Sequence, residues 1–350
     1  MPMIALDAFH NADLTDTFVK AFQPKSLIIQ ELGLFTDIGS DTPIAAVDYY
    51  VEESDEITLP TDNQRYGTDT NSITLRKTKT IALEIPMIEG TAEIKPKDWQ
   101  GKRSFGGTGE KTLEEAVFEA AQSLAADRDL WVEYKLTQAL VTATQEAKET
   151  MNPNIDYQAL FGNRFTSSNL DLSSTTFDVP AWIARTQSQA KRRARGLTIE
   201  RIFAFCAPEV FYAIMSHPSI KEMMKYTVDP ASSRNILTNY STLGANSGLD
   251  AIQAFTFGGF TFVIVDDRFF GMMGENQVLI APKFANGAQN PLKRYFTKAS
   301  RDGIVAQQAP QTSYAYTTVS ERNNLHLWTE TSALAVNMLP SVFSMVDVNI

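Results

Sequence analysis

The feature that most constrains this chain is a long helical stretch that begins at Thr112-Leu113-Glu114-Glu115. These residues match a capping box, in which the threonine and the second glutamate satisfy each other's backbone N–H groups. Apolar residues follow at roughly helical spacing, and neither Pro nor Gly occurs before Asn152-Pro153. We predict a single helix that reaches about Thr150, roughly 55 Å long, without the heptad pattern of a coiled coil. Such a helix has to cross the body of a domain.

The segment before this helix, 44–94, predicts a long β-excursion with two limbs. β-Forming residues fill 45–51, and a period of two resumes from Ile73 to Ile85. The tip between them, 61–72, is polar and includes Arg65. The limbs differ in charge, with Glu52, Glu53, Asp55 and Glu56 on the first and Arg76, Lys77 and Lys79 on the second. Because a lone hairpin buries too little to be stable, we expect it to rest on a neighbouring subunit.

The first forty residues contain little that could fold alone. Leu14, Phe18, Val19 and Phe22 fit one face of a short helix that ends before Pro24. Two apolar groups, Leu27-Ile28-Ile29 and Gly33-Leu34-Phe35, follow without a local partner. We therefore predict an N-terminal arm that packs against something else, with Phe18, Phe22 and Phe35 as assembly contacts.

Beyond the long helix the predicted elements are short and mixed. A second helix follows Pro180 and stops at Gly196, as expected for Pro near a helix start and Gly past its end. Further elements are a strand at 202–206, helices at 208–214 and 220–226, a hairpin at 255–265, a strand at 278–282 and terminal strands within 325–348. The segment 229–250 is rich in Ser, Asn and Gly and predicts a surface loop.

The second helix carries a basic cluster in its last turns, formed by Lys191, Arg192, Arg193 and Arg195. Its side chains could touch DNA phosphates, or they could complement the helix C-terminus and pair with acidic groups of a neighbouring subunit. We favour the second interpretation because the chain as a whole carries a formal net charge of -10. An acidic chain does not coat DNA, although it can line a DNA-filled container.

Composition excludes several other classes of protein. Cys206 is the only cysteine, so an intramolecular disulfide and a four-cysteine zinc site are both impossible. The N-terminus lacks a signal-peptide pattern, and no apolar run approaches the roughly 20 residues that span a bilayer. We therefore expect a cytoplasmic product.

The residue patterns predict no catalytic, cofactor or metal site. The three histidines share no ligand spacing, and Cys206 lies in an apolar strand where thiols are usually inert. The glycine-rich stretch before Thr112 departs from a phosphate-binding loop because Glu110 precedes its lysine. Asp266-Asp267 follows a strand and could hold Mg²⁺, but a strand-ending turn is the commoner reason for this pair.

The order of these parts resembles the major capsid proteins of tailed phages with the Hong Kong 97-type fold, and more specifically the lambda-type capsid protein E family. The resemblance covers nearly the full chain and is carried by 46–50, 81–106, 205–211, 217–222, 255–260 and 332–340. The chain departs from the family pattern after the hairpin glycines, where the usual acidic residue is displaced, and in its own loop at 229–250. The resemblance brings no catalytic residues, and no Lys–Asn crosslinking pair can be matched.

The resemblance implies an α+β fold with five successive parts. These are an N-terminal arm (1–43), an extended β-loop region (44–106), a peripheral domain with the spine helix (107–201), an axial domain (202–298) and a return to the peripheral domain (299–350). It implies a shell of hexamers and pentamers around double-stranded DNA. It also implies a separate scaffolding protein, a portal and a decoration protein as partners, and no membrane.

Two other classes of protein compete with this interpretation. One is a different structural protein, such as a tail-tube subunit or an encapsulin-like compartment protein, for which a cargo peptide would be diagnostic. The other is a metal-dependent hydrolase that uses Asp266 and Asp267, which predicts stability that depends on metal. We rank the enzyme far below because the sequence shows neither a general base nor a nucleophile.

Overall fold

The computed structural model describes residues 27–50, 78–102, 111–162, 164, 169–194, 196–225, 254–265, 267–319 and 324–350. Its helices are α1 (Ile28–Leu32), α2 (Pro96–Trp99), α3 (Leu113–Val141), α4 (Tyr157–Phe161), α5 (Val179–Arg193), α6 (Pro208–Ser216) and α7 (Pro218–Lys225). Its first strands are β1 (Thr36–Ser40), β2 (Ile44–Tyr50), β3 (Thr78–Glu84), β4 (Met87–Ile94), β5 (Thr144–Glu146), β6 (Asn154–Asp156), β7 (Leu170–Asp171) and β8 (Ile199–Cys206). The later strands are β9 (Ala254–Phe257), β10 (Phe260–Ile264), β11 (Gln277–Phe284), β12 (Leu292–Thr297), β13 (Ser313–Val319), β14 (Leu325–Ser332), β15 (Leu334–Asn337) and β16 (Ser344–Asn349).

The predicted long helix is α3, which we call the spine helix. It has 29 residues and is about 44 Å long. The predicted capping box is confirmed, because Glu115 N donates to Thr112 Oγ1 at 3.2 Å and Thr112 N donates to Glu115 Oε2 at 3.0 Å. The predicted extension to Thr150 is wrong. The chain turns at Ala143, where φ is 54°, and continues as β5.

A side chain from a later loop closes the C-terminal end of the spine helix. The Arg164 guanidinium donates to the carbonyl oxygens of Leu140 and Val141, at 2.6 Å for Val141. These carbonyls belong to the last turn, which has no partners within the helix itself. Burial lowers the pKa of Arg164 to about 10. The helix therefore ends where a residue distant in sequence, Arg164, caps its last carbonyls. A local sequence pattern does not predict such a contact.

The N-terminal half of the spine helix lies on a three-stranded sheet of order β13-β14-β4. Alanines at 116, 121 and 125 face this sheet, so the helix and strands approach closely. A Cβ added at Gly90 on β4 would lie 3.1 Å from Leu124 and 2.6 Å from Thr329 Oγ1. Gly90 is therefore required by the distance between this sheet and the helix.

A six-stranded sheet of order β7-β16-β11-β8-β10-β9 forms the other large layer. The predicted strands at 202–206 and 278–282 are confirmed as neighbours, and the hairpin within 255–265 is confirmed as β9 and β10. The C-terminal strand β16 pairs with β11 in the same sheet, across the predicted boundary at residue 298. The boundaries of the five predicted parts stay predictions.

Two adjacent glycines in the β9–β10 turn lie against α5. Gly258 and Gly259 both have positive φ, 60° and 88°, which favours glycine. An added Cβ at these positions would lie 3.1 Å from Ile183 and 2.8 Å from Gln187. Both the turn geometry and the closeness of the helix therefore require these glycines.

The main hydrophobic core lies between this sheet and the surrounding helices. Phe255 is central, with its ring 5.0 Å from Phe211 on α6 and 4.8 Å from Phe262 on β10. The core continues to a small sheet of order β1-β12-β15 and to the C-terminal half of the spine helix. None of the described helices is both long and apolar enough to span a bilayer.

Candidate assembly surfaces

The described end of the N-terminal segment is packed into its own subunit. Leu27 is buried, and Ile29, Leu32 and Leu34 belong to the main core. Asn290 Nδ2 donates to Leu34 O at 3.1 Å. The apolar groups at 27–35, for which the sequence offers no local partner, therefore pack against distant parts of the same subunit. Their partners lie about 100 residues or more away in sequence. Phe18 and Phe22 lie outside the described residues.

Phe35 is half-buried beside an open cavity of about 340 Å³. Leu27, Ile29 and Leu136 form its apolar wall, and Arg294 lies at its polar side. Arg294 makes a two-point ion pair with Asp37 on β1, with both N–O distances at 2.7 Å. Phe35 therefore contacts its own core, and its role as an assembly contact stays a prediction.

The base of the predicted β-excursion is the antiparallel pair β2–β3. Ala45, Val47 and Leu83 are buried at its lower end, whereas Lys79 is exposed at the upper end, opposite Tyr49. The ribbon therefore leaves the core as it approaches residues 50 and 78. The other predicted contacts on this excursion, Glu52, Glu53, Arg65, Arg76 and Lys77, lie outside the described residues.

The basic cluster lies on the last turn of α5. Lys191, Arg192 and Arg193 are exposed, whereas Ala190 before them and Ala194 after them are buried. Trp182 and Ile183 anchor the same helix in the main core. Cations at this position complement the partial negative charge of a helix C-terminus. The three exposed cations are thus held on a rigid element, and Arg195 lies outside the described residues.

An ordered strap, residues 299–311, covers one face of the β13-β14-β4 sheet, and the sequence patterns did not indicate it. Glu330, 1% exposed, accepts hydrogen bonds from Ser300 N at 2.7 Å and from Tyr316 OH at 2.6 Å. The Arg301 guanidinium stacks 4.1 Å from the Trp328 ring centre. A single carboxylate, Glu330, in the predicted strand β14 was the one available signal for this contact.

The geometry of the candidate chemical residues fits structural roles. Cys206 is buried, and burial raises the pKa of its thiol well above the usual range. Asp267 Oδ1 accepts from Phe269 N at 3.0 Å within a turn, and Asp266 lies outside the described residues. Among the described residues there is no group of three His, Cys, Asp or Glu side chains that could hold a metal ion.

Comparison with known proteins gives matches over most of the chain. The family model of phage major capsid protein E matches residues 11–343. The major capsid protein of Pseudomonas phage KPP10 is 26% identical over 266 residues, which cover 71% of this chain and 72% of that protein. The capsid structure of Ralstonia phage GP4 matches with a TM-score of 0.51 and 10% identity, covering 98% of this chain and 92% of that one.

The likeness to the GP4 capsid shows the fold, and it confirms the predicted α+β architecture of the Hong Kong 97 type. The family match spans the spine helix, the β13-β14-β4 sheet, the six-stranded sheet except β16, and residues 11–43. It confirms the resemblance carried by the short motifs. The chain belongs to the phage major capsid protein E family.

Proposed function

We propose that this major capsid protein closes its shell through three contacts beyond the folded body: the N-terminal segment, the extended loop and the basic end of α5. The subunit self-assembles as hexamers and pentamers into the icosahedral shell that encloses the double-stranded DNA genome of a tailed phage. In the mature particle it is part of the virion. The observation that carries the proposal is the β2–β3 ribbon, which is buried at Ala45, Val47 and Leu83 and exposed at Lys79.

The extended loop is proposed to lie over an adjacent subunit. Its limbs carry opposite charge, acidic at Glu52, Glu53, Asp55 and Glu56 and basic at Arg76, Lys77 and Lys79. Exposed ion pairs contribute only about 0.2–1 kcal/mol each. The same pairs recur at every subunit contact, so small energies can still direct assembly.

The basic end of α5 is proposed to pair with acidic groups of a neighbouring subunit. Lys191, Arg192 and Arg193 are exposed on a helix whose other face is fixed in the core. The chain offers many acidic partners, since Asp and Glu number 41 against 31 Lys and Arg. Contact with the packaged DNA is the alternative role for the same cluster.

We further propose that the subunit is not an enzyme. Its buried thiol at Cys206 and the turn role of Asp267 support this proposal. Assembly takes place in the host cytoplasm, and the proposed partners are a scaffolding protein, a portal and a decoration protein. The shell encloses DNA without reading its sequence.

Paired N-terminal deletions test the assembly role of the first segment. Deleting residues 1–26 removes the predicted contacts Phe18 and Phe22 but leaves α1 and its core contacts in place. We expect a subunit with normal circular dichroism and a normal midpoint of unfolding that yields few or no closed shells. Particle yield is measured by sedimentation and negative-stain microscopy.

The matched control is a deletion of residues 1–36, which also removes Leu27, Ile29, Leu32 and Leu34. Each of these buried side chains contributes roughly 1.5–3 kcal/mol, so this variant should lose stability before it can assemble. Normal shells from the 1–26 deletion would contradict the assembly role. Unfolding of that shorter deletion would show that the segment belongs to the folding core instead.

A further inference from the structure

A carboxylate on the spine helix caps the first described helix of the chain. Glu133 Oε1 accepts from Ile29 N at 2.7 Å, and Oε2 accepts from Gln30 N at 3.2 Å. Gln30 Nε2 also donates to Oε2, at 3.2 Å. The N-cap residue of α1, Leu27, has no side chain that could serve this purpose. Glu133 therefore does for α1 what an N-cap side chain normally does, across a separation of 104 residues.

We infer that Glu133 is a proton-sensitive latch that holds α1, the root of the N-terminal segment, on the spine helix. Only 1% of the Glu133 surface is exposed, so a change in its charge is felt directly at this contact. A protonated carboxyl keeps its carbonyl oxygen as an acceptor, so a backbone N–H of α1 can stay bonded to Glu133 when the side chain is neutral.

The direction of the effect follows from linkage. Burial raises the pKa of Glu133 from its ordinary 4.5 to about 7, although the hydrogen bonds from Ile29 and Gln30 lower it in part. When α1 lifts away, water reaches the carboxylate and its pKa falls back toward the ordinary value. The docked state thus binds the proton more tightly than the open state. Protonation favours docking, and a rise in pH through 7 weakens it.

Other charged groups surround the same contact and have to be separated from Glu133. Glu31 on α1 raises the pKa of Glu133, and burial raises the pKa of Glu31 itself. Burial also raises the pKa of Asp129 on the spine helix, against the opposing effect of Arg128. The remaining charged groups are the Asp37–Arg294 pair across β1 and β12 and Lys283 on β11, which donates to Leu32 O at 2.9 Å.

Hydrogen exchange on full-length, unassembled subunits tests the latch. Amide protection is measured at pH 6, 7 and 8 and corrected for the intrinsic pH dependence of exchange. With the two pKa values above, linkage predicts that protection of residues 28–34 is about tenfold lower at pH 8 than at pH 6. Residues 208–216 of α6 provide the internal reference and should show little change.

Two variants test whether Glu133 causes the pH dependence of amide protection at residues 28–34. Glu133→Gln keeps an acceptor but cannot titrate, so the pH dependence at 28–34 should disappear. Glu31→Gln removes the neighbouring charge, so the dependence should persist with its midpoint at lower pH.

Equal protection of residues 28–34 at pH 6 and 8 in the wild type would overturn the proposal. A pH dependence of this protection that persists in Glu133→Gln would overturn it as well. If Glu133→Gln does not fold, the wild-type contrast between 28–34 and 208–216 decides together with the midpoint in Glu31→Gln, because an unshifted midpoint would overturn the proposal. A role of the latch in shell closure rests on the proposed function. The exchange experiment does not, because it uses unassembled subunits.

Discussion

The two halves of the spine helix are stabilised in different ways. From Leu113 to Leu130 one stripe stays in solvent, and it includes Phe118 at 47% and Leu130 at 42% exposure. The opposite stripe packs on the β13-β14-β4 sheet through two small clusters of mostly alanine, valine and leucine. From Val132 to Val141 every residue except Tyr134 is buried. One half therefore lies along a surface, and the other half crosses the main core.

This contrast explains why the apolar spacing of the helix is only roughly regular. A surface helix shows one apolar stripe, whereas a helix buried all round does not. The buried half also carries the polar residues Glu133, Lys135, Thr137 and Gln138. The side chains of Glu133, Lys135 and Gln138 are held by hydrogen bonds to specific partners. Lys135 Nζ, for example, donates to the carbonyl of Glu146. We conclude that the second half is part of the subunit's main core, while the first half is held only by the two small clusters on the sheet.

The largest expected effect compares two leucines on this helix. Leu136 lies in the main core at 2% exposure, whereas Leu124 is half-buried on a small cluster. Leu136→Ala should lower the free energy of unfolding by about 2–5 kcal/mol, because the cavity it leaves cannot fully collapse. Leu124→Ala should lower it by about 1 kcal/mol. Urea unfolding of unassembled subunits measures both. Equal losses would mean that the halves are equally well packed.

A smaller effect compares two glutamates that each accept a backbone N–H. Glu133→Ala leaves Ile29 N and Gln30 N buried without their acceptor, which should cost about 1–3 kcal/mol. Glu115→Ala removes the acceptor of Thr112 N, which water can reach, and the loss of this bond should cost less than about 1 kcal/mol. Both variants replace a helical glutamate by alanine, so the comparison sets the loss of a buried acceptor against the loss of an exposed one. Unfolding at pH 6 keeps the buried group largely protonated. A larger loss from Glu115→Ala would reverse the comparison.

How much the sequence could predict depends on whether the partner of each element is local. Thr112 and Glu115 lie three residues apart, so the start of the spine helix was predictable. The C-terminal end depends on Arg164, more than twenty residues beyond it, and the prediction was wrong there.

The candidate surfaces follow the same rule. The basic end of α5 was visible as a local cluster of cations at a helix terminus. By contrast, Glu133 and Glu330 were missed. A single sequence does not reveal that the first contacts Ile29 or that the second contacts Ser300. Predicted strands and turns were right wherever local spacing determines them, as at the Gly258-Gly259 hairpin.

The smallest effect concerns the residue at which the buried half ends. Ala143 has a φ of 54°, a left-handed conformation that costs a non-glycine residue roughly 1–2 kcal/mol. Ala143→Gly relieves this strain, but it loses a buried methyl group and raises the entropy of the unfolded chain, so its net effect should lie within about 1 kcal/mol of zero. Ala139, four residues earlier and equally buried, lies in the helix interior. Ala139→Gly also loses a buried methyl group and raises the entropy of the unfolded chain, but it relieves no backbone strain. It should therefore cost about 1–2 kcal/mol more than Ala143→Gly. The difference between the two unfolding free energies therefore measures the strain at the helix end. If the two variants are equally destabilised, Ala143 is not strained, and the end of the helix then rests on the Arg164 cap alone.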